Sequence, residues 1–434
     1  PVKKLQWGPE EEPGPEIHKI DGWKVDLEEP LCTRDLIPQN YPRIGWIDID
    51  RPITDWVEPQ DPMLGIIPRW EGDLNYAPAI WGRDAYIKSF EKFTYATGDE
   101  NIKKHYPKEW AFAVWAVRKE FGFLNDTTVI PMVATDKNVD STPAYPKTKY
   151  FKTEEAYIEK YGMEYYIKEY DRICKGARPQ PLWYLFLKKE ILKKKKIEES
   201  DIRQILCTDP CYSRIGLMFE QNQNQRMKTR TEKSFGQCGW SPFEGGWHRR
   251  MCRLEREGNH YIEMDWSRFD GTIPNEVFNA IKEIRFSFLA KEYRTKQNFE
   301  VYMWYCKHLT DRLVLLPSGE VTAQYNGNPS GQVSTTMDNN MCNVFFQAFE
   351  FINLNGFTFE EAKEKWKSYD TLVYGDDRIT STPCLPENYI DRVITLYKDV
   401  FGMWVKPENV KIFKTLEGVS FCGFTNRTVN GMYM

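Results

Sequence analysis

An apolar run, Thr371-Leu372-Val373, leads into Tyr374-Gly375-Asp376-Asp377, and Arg378-Ile379-Thr380 leads out. The pattern predicts strand, tight turn, strand: a hairpin with two adjacent carboxylates at its tip, the glycine letting the backbone turn. Neighbouring carboxylates repel, and taken out of water they are unfavourable unless a cation neutralises them. Hard divalent ions such as Mg²⁺ take such oxygen ligands. Taken alone, the tetrapeptide reads first as a solvated turn. Whether it is a site depends on partners elsewhere in the chain.

The 434 residues, 41% hydrophobic and 15% aromatic, suffice for a large core shared by two or three subdomains. A net charge of −4 does not mark a nucleic-acid binder, so any such binding needs positive charge gathered locally. That charge is densest at Lys188, Lys189 and Lys193 to Lys196, followed by Arg203. The run reads equally as a solvated helix face or as a track for phosphates. No run of 18 apolar residues and no signal-peptide pattern is present, so no membrane span is expected. The ten cysteines are irregularly spaced, and Cys238, His248, Cys252 and His260 lack the rhythm of a zinc site. Free thiols are the expectation.

In chain order, residues 1–60 are rich in proline and acids and read as an extended arm with aromatic anchors at Trp7, Trp23 and Trp46. Helical periodicity runs from Asp99 to Phe123, and a turn-rich loop covers Thr142 to Pro146. A strand ends at Asp265; Asp270 follows, and Val277, Ile281, Ile284 and Phe288 mark a helix. A second helix near 299–312 precedes a hairpin of 313–316 with 321–324. Asn326 to Gly331 reads as a flexible loop running into a long helix. On that helix Thr335, Asn339 and Asn343 share a face, a polar stripe of poor helix formers that needs a reason. Met337, Met341, Phe345 and Phe349 read as core. Thr358 with Glu361 predicts a capping box. Residues 386–401 predict a helix packing through Ile390, Val393, Ile394, Tyr397 and Phe401, and strand-like pieces close the chain.

A strand-end carboxylate, a helix, a glycine loop with a polar helix and then a Gly-Asp-Asp hairpin is the order of parts that can hold two metals for in-line phosphoryl transfer. The stretch Asp265-Trp-Ser-Arg-Phe-Asp-Gly-Thr-Ile-Pro274, with Gly327-Asn-Pro-Ser-Gly-Gln-Val-Ser-Thr-Thr-Met-Asp-Asn-Asn340, resembles the palm of viral RNA-dependent RNA polymerases of positive-strand RNA viruses, closest to the astrovirus polymerase. The resemblance runs from about Thr142 to Phe424. It implies an α+β right-hand fold, with fingers and a palm built on an antiparallel sheet flanked by helices. The implied division is an arm at 1–60, fingers at 61–215 carrying the template loop and basic NTP motif, and a first palm part at 216–302. A fingers insertion at 303–327 and a second palm part at 328–434, ending at a primer-grip hairpin, follow. The family continues into a helical thumb, so this chain is expected to lack most of it.

The resemblance also implies roles. Asp265, Asp376 and Asp377 match the metal-binding acids for two Mg²⁺ ions, with Mn²⁺ as a substitute; Asp376 is expected to be the firmer ligand of the pair. Asp270, aided by Ser330, Gly331, Thr335 and Asn339, matches the group that senses the ribose 2′-hydroxyl. Lys188, Lys196 and Arg203 match the motif that steers the triphosphate, although Asp201 stands where the family often has a base. Lys411 is the candidate general acid, with Lys406 as its alternative. Thr142 to Pro146 resembles the template loop, and Phe421-Cys422-Gly423 the primer grip. Implied partners are RNA template and primer, NTPs, a genome-linked viral protein and other replication proteins, in host cytoplasmic complexes associated with membranes through those partners. Two alternatives stand beside RNA synthesis: reverse transcription, disfavoured by Asp270 with Asn339, and a non-catalytic RNA-binding scaffold.

Overall fold

The computed structural model describes residues 12–28, 35–49, 75–94 and 97–434. Trp7 and part of the predicted arm lie outside them. Among the described residues no helix is long and apolar enough to cross a membrane.

Two sheets organise the chain. A five-stranded sheet runs in the order Gly45–Trp46, Glu320–Gln324, Arg312–Leu315, Leu182–Leu187, Gln204–Cys207; its one parallel pairing joins Leu182–Leu187 to Arg312–Leu315. A four-stranded antiparallel sheet runs in the order Asp370–Tyr374, Asp377–Thr382, His260–Met264, Lys411–Phe413. The long helix Thr335–Asn355 is buried along most of its length, between helix Pro107–Glu120, helix Asn275–Ser287 and strand Asp370–Tyr374. Met337, Met341, Phe345 and Phe349 are all in the core, while Asp338, Asn339, Asn340, Asn343, Gln347 and Glu350 carry polar groups into the interior, where they find partners. The Thr358–Glu361 capping box forms as its spacing predicts.

Several expectations need redrawing. The divisions at 215/216 and 302/303 fall inside the continuous helices Pro210–Thr229 and Lys296–Thr310, so no element ends there. The helix predicted over 386–401 is α-helical only for Tyr389–Leu396 and widens to a π-helix over Tyr397–Phe401 before Gly402. Its buried face is Tyr389, Val393, Leu396, Tyr397, Val400 and Phe401, whereas Ile390 and Ile394 are only partly buried. The arm is anchored by more than aromatics. Trp46 pairs with Glu320, and Trp23 donates its indole N–H to the Gln180 carbonyl at 3.1 Å, but Ile17, Ile20, Leu36 and Ile37 are the more deeply buried.

Candidate active site

Strand register builds the site. Arg378 pairs with Met264, so Asp377 and Asp265 meet at neighbouring strand ends, and Asp376 occupies the turn between Gly375 and Asp377. Gly375 has φ +63°, the left-handed conformation glycine adopts without cost. Both of its backbone groups are clamped by the long helix. Its N–H donates to Asn340 Oδ1 at 2.7 Å, and Asn343 Nδ2 donates to its carbonyl at 3.0 Å. That is the reason for part of the asparagine stripe: Asn343 holds the turn. Asn340, outside the stripe, was not anticipated.

Electrostatics mark the tip. Asp377 and Asp265 open onto a cleft of about 180 Å³ also lined by Glu263, Asn409, Lys411 and Ser420 to Gly423, and Asp376 sits in the turn next to Asp377. The surrounding protein strips water from Asp376 and, with Asp377 beside it, pushes its carboxyl up to about 6. Asp377 is raised by the same desolvation and by Asp265, against a hydrogen bond from Cys422. Asp265 Oδ2 accepts from Lys406 Nζ at 3.0 Å and Asn409 Nδ2 at 3.1 Å. Lys411 stands opposite Glu263 in register. Residues 263 and 265 share a face of their strand, so Lys406 and Lys411 flank the same acids, and Lys406 is the one in contact with Asp265. Hard oxygen donors that repel one another fit a divalent cation. Among the described residues no three His, Cys, Asp or Glu side chains converge closely enough to enclose one ion; Glu263, Asp265 and Asp377 line a common cleft, with Asp376 adjacent in the turn.

Beside this tip lies a second cluster. Asp270 sits in the short helix Phe269–Thr272, and its Oδ2 accepts from Ser330 Oγ at 2.8 Å and from Lys92 Nζ at 2.7 Å. Lys92, which also bonds Ser330, was missed: it lies 238 residues from Ser330 on an unremarkable segment. The loop at Asn326 to Gly331 is pinned and not flexible. Asn328 is fully buried, its N–H donates to the Asp270 carbonyl at 2.7 Å, and Leu206 N–H donates to Ser330 at 2.9 Å. Gly331 has φ +119°, and a Cβ there would stand 2.1 Å from the Leu206 carbonyl oxygen, so the strand edge demands glycine. Thr335 turns its hydroxyl onto the Pro329 and Gln332 carbonyls, both at 3.0 Å, and so serves the loop and does not contact Asp270. Asn339 accepts from Asn328 Nδ2 at 2.9 Å.

The basic residues are only partly brought together. Arg203 makes a two-pronged ion pair with Glu190, which Lys188 also approaches at 3.4 Å. Arg203 holds the Glu190 carboxyl below its ordinary value. In turn Glu190, with smaller contributions from Asp270 and Asp376, raises the Arg203 guanidinium. Lys196 stands apart, 3.8 Å from Asp201. Thr142 Oγ1 accepts from Ala144 N–H at 3.3 Å, and Pro146 follows a cis peptide bond. Next to it the buried Lys147 pairs with Asp209, another contact without a sequence signal. Phe421 pairs with Phe424, and Cys422 and Gly423 form the turn between them, with φ of +50° and +81°.

The chain belongs to the viral RNA-dependent RNA polymerase family, whose model matches residues 36–434. It is 53% identical over 435 residues to the non-structural polyprotein 1AB of ovine astrovirus 1, covering 100% of this chain and 32% of the polyprotein. Against the human astrovirus-1 polyprotein 1AB it is 53% identical over 98% of the chain and 29% of the polyprotein; against turkey astrovirus 2, 42% over 95% and 25%. The chain thus spans about a third or less of these relatives. A solved structure titled Sicinivirus 3Dpol RNA dependent RNA polymerase shares its fold, with a TM-score of 0.67 at 16% identity over 94% of this chain and 82% of that one.

Proposed function

We propose that this chain carries out template-directed RNA synthesis for viral replication, joining an NTP to an RNA 3′-end. The observation that carries this reading is the register that sets Asp265 beside Asp377, with Asp376 in a turn clamped by Asn340 and Asn343. In the reaction the 3′-oxygen forms a bond to the α-phosphorus, the bond from that phosphorus to the pyrophosphate oxygen breaks, and the hydroxyl proton is lost to solvent. Asp265, Asp376 and Asp377 would hold two Mg²⁺ ions, which when bound stabilise charge on the attacking and leaving oxygens. Arg203 and Lys188, on the side of the site governed by Glu190, receive the triphosphate, and Lys196 supplies more distant charge. Lys406 neutralises Asp265. Lys411, in the same cleft but off that carboxylate, is the proposed proton donor to pyrophosphate. Asp270, Ser330 and Asn339 select ribose. Thr142 to Pro146 guide the template, and Phe421, Cys422 and Gly423 support the primer end. A genome-linked viral protein and membrane-associated partners in the host cytoplasm belong to the same proposal.

The test is primer extension on an RNA template with Mg²⁺ and all four NTPs. Extension whose product sequence follows the template is expected. Binding of RNA without any templated product would contradict the reading.

A further inference from the structure

The loop before the long helix contains two buried amides, Gln332 and Asn328, with no assigned role. Their orientations follow from one charged group. Asp338 is fully buried, with Lys282 Nζ 2.5 Å from its Oδ2 and Arg285 Nη1 2.8 Å from its Oδ1. Burial favours the neutral acid, but the two cations prevail and hold the carboxyl below its ordinary value. An ionised carboxylate only accepts hydrogen bonds. Gln332, 2.8 Å from Asp338 Oδ2, must therefore present its NH₂ group there, and its Oε1 accepts the Ser334 backbone N–H at 2.7 Å. The other hydrogen of that NH₂ goes to Asn328 Oδ1 at 2.9 Å. Asn328 then has only its own NH₂ to turn the other way, and it donates to the Thr335 carbonyl at 3.1 Å and to Asn339 Oδ1 at 2.9 Å. Reversing any one amide would set donor against donor, or acceptor against acceptor, in a buried place.

We propose that Asp338, Gln332 and Asn328 form a relay of amide orientations that makes Asn339 a hydrogen-bond donor to the ribose 2′-hydroxyl, so that Gln332 and Asn328 are positioning residues for sugar selection. The proposal rests on the polymerase reading above. Asn339 Nδ2 has no acceptor among the described residues, and Asn328, which fixes it, also donates its backbone N–H to the Asp270 carbonyl. Lys92 and the Ser330 hydroxyl both occupy Asp270 Oδ2, leaving Oδ1 as an acceptor. A hydroxyl has one proton to give and lone pairs to offer. It donates to Asp270 and accepts from Asn339; a deoxy sugar leaves both unpaired, and a site built this way rejects it. A reversed Asn339 would present a second acceptor, and the single hydroxyl proton could serve only one of the two.

The experiment is equilibrium binding of ATP and 2′-deoxy-ATP to the full chain, read as the ratio of the two Kd values, with a melting curve for each variant. In Asn328→Asp the NH₂ group is lost, Asn339 rotates to donate to the new carboxylate, and the preference for ATP falls about tenfold, the worth of one well-made hydrogen bond. Asn339→Ala produces a similar fall, and the double variant falls no further. Gln332→Met, which adds no buried charge and carries the test should Asn328→Asp fail to fold, gives a smaller loss in the same direction. A parental ratio in folded Asn328→Asp or Gln332→Met while Asn339→Ala loses preference overturns the relay, and so does a parental ratio in Asn339→Ala itself. Because the ratio is read without RNA synthesis, a chain that shows these ratios but extends no primer counts against the polymerase reading alone.

Discussion

Asp376→Asn is expected to reduce templated nucleotide incorporation by about 10³-fold or more while leaving the melting temperature at or above that of the parent. The magnitude is the several kcal/mol that cation charge contributes at a transferring phosphoryl group. The second half of the expectation follows from the same crowding. A carboxyl that desolvation and Asp377 push up to about 6 is unfavourable in the folded chain, and a neutral amide of the same shape relieves that. Function and stability should thus move apart at this one residue. Synthesis that survives Asp376→Asn would remove Asp376 from the cation site.

The second large effect lies beneath the hairpin. Arg378 follows Asp377 and points its guanidinium inward, where Glu350 of the long helix meets it with bonds of 3.0 and 3.1 Å. Tyr397 donates to Glu350 Oε2 at 3.0 Å, Tyr389 donates to its other oxygen, and the whole group is buried. Removing one partner of a buried pair strands the other charge, at a cost of about 3–5 kcal/mol. Glu350→Ala is therefore expected to lower the melting temperature by about 3–6 °C. The double variant Glu350→Ala with Arg378→Met should recover most of the loss, since it leaves no orphaned charge. A double variant no more stable than Glu350→Ala would show that the ion pair is not what joins the hairpin to the helix.

How much of this was legible in the sequence depends on whether a partner is set by local pattern or by tertiary placement. The hairpin at Asp376 and Asp377, the strand ending at Asp265 and the long helix are written in alternation, turn chemistry and helical spacing, which the chain carries locally. Family resemblance then joined Asp270 to Ser330 and Asn339. Lys92, Glu190, Lys147 and Glu350 have no such pattern: each meets its partner only because distant segments pack together, and a lone lysine or glutamate looks the same on any surface. The asparagine stripe shows the boundary clearly. Spacing put Thr335, Asn339 and Asn343 on one face, but contacts divide them between the loop, the Asn328 amide and the Gly375 turn. Similarly, apolar spacing over 386–401 identified an amphipathic segment but neither its π-helical end nor the bonds from Tyr389 and Tyr397 to Glu350.

In the proposed mechanism the turn acids and the strand-end aspartate together form the cation-binding cluster. That role is tested most directly by Mn²⁺ binding to the full chain in the presence of an NTP, followed by electron paramagnetic resonance. The parent chain is expected to bind the ion, and Asp265→Ala and Asp376→Asn are each expected to lose most of that binding while remaining folded. Mn²⁺ binding that is unchanged in both variants would contradict the assignment of these carboxylates.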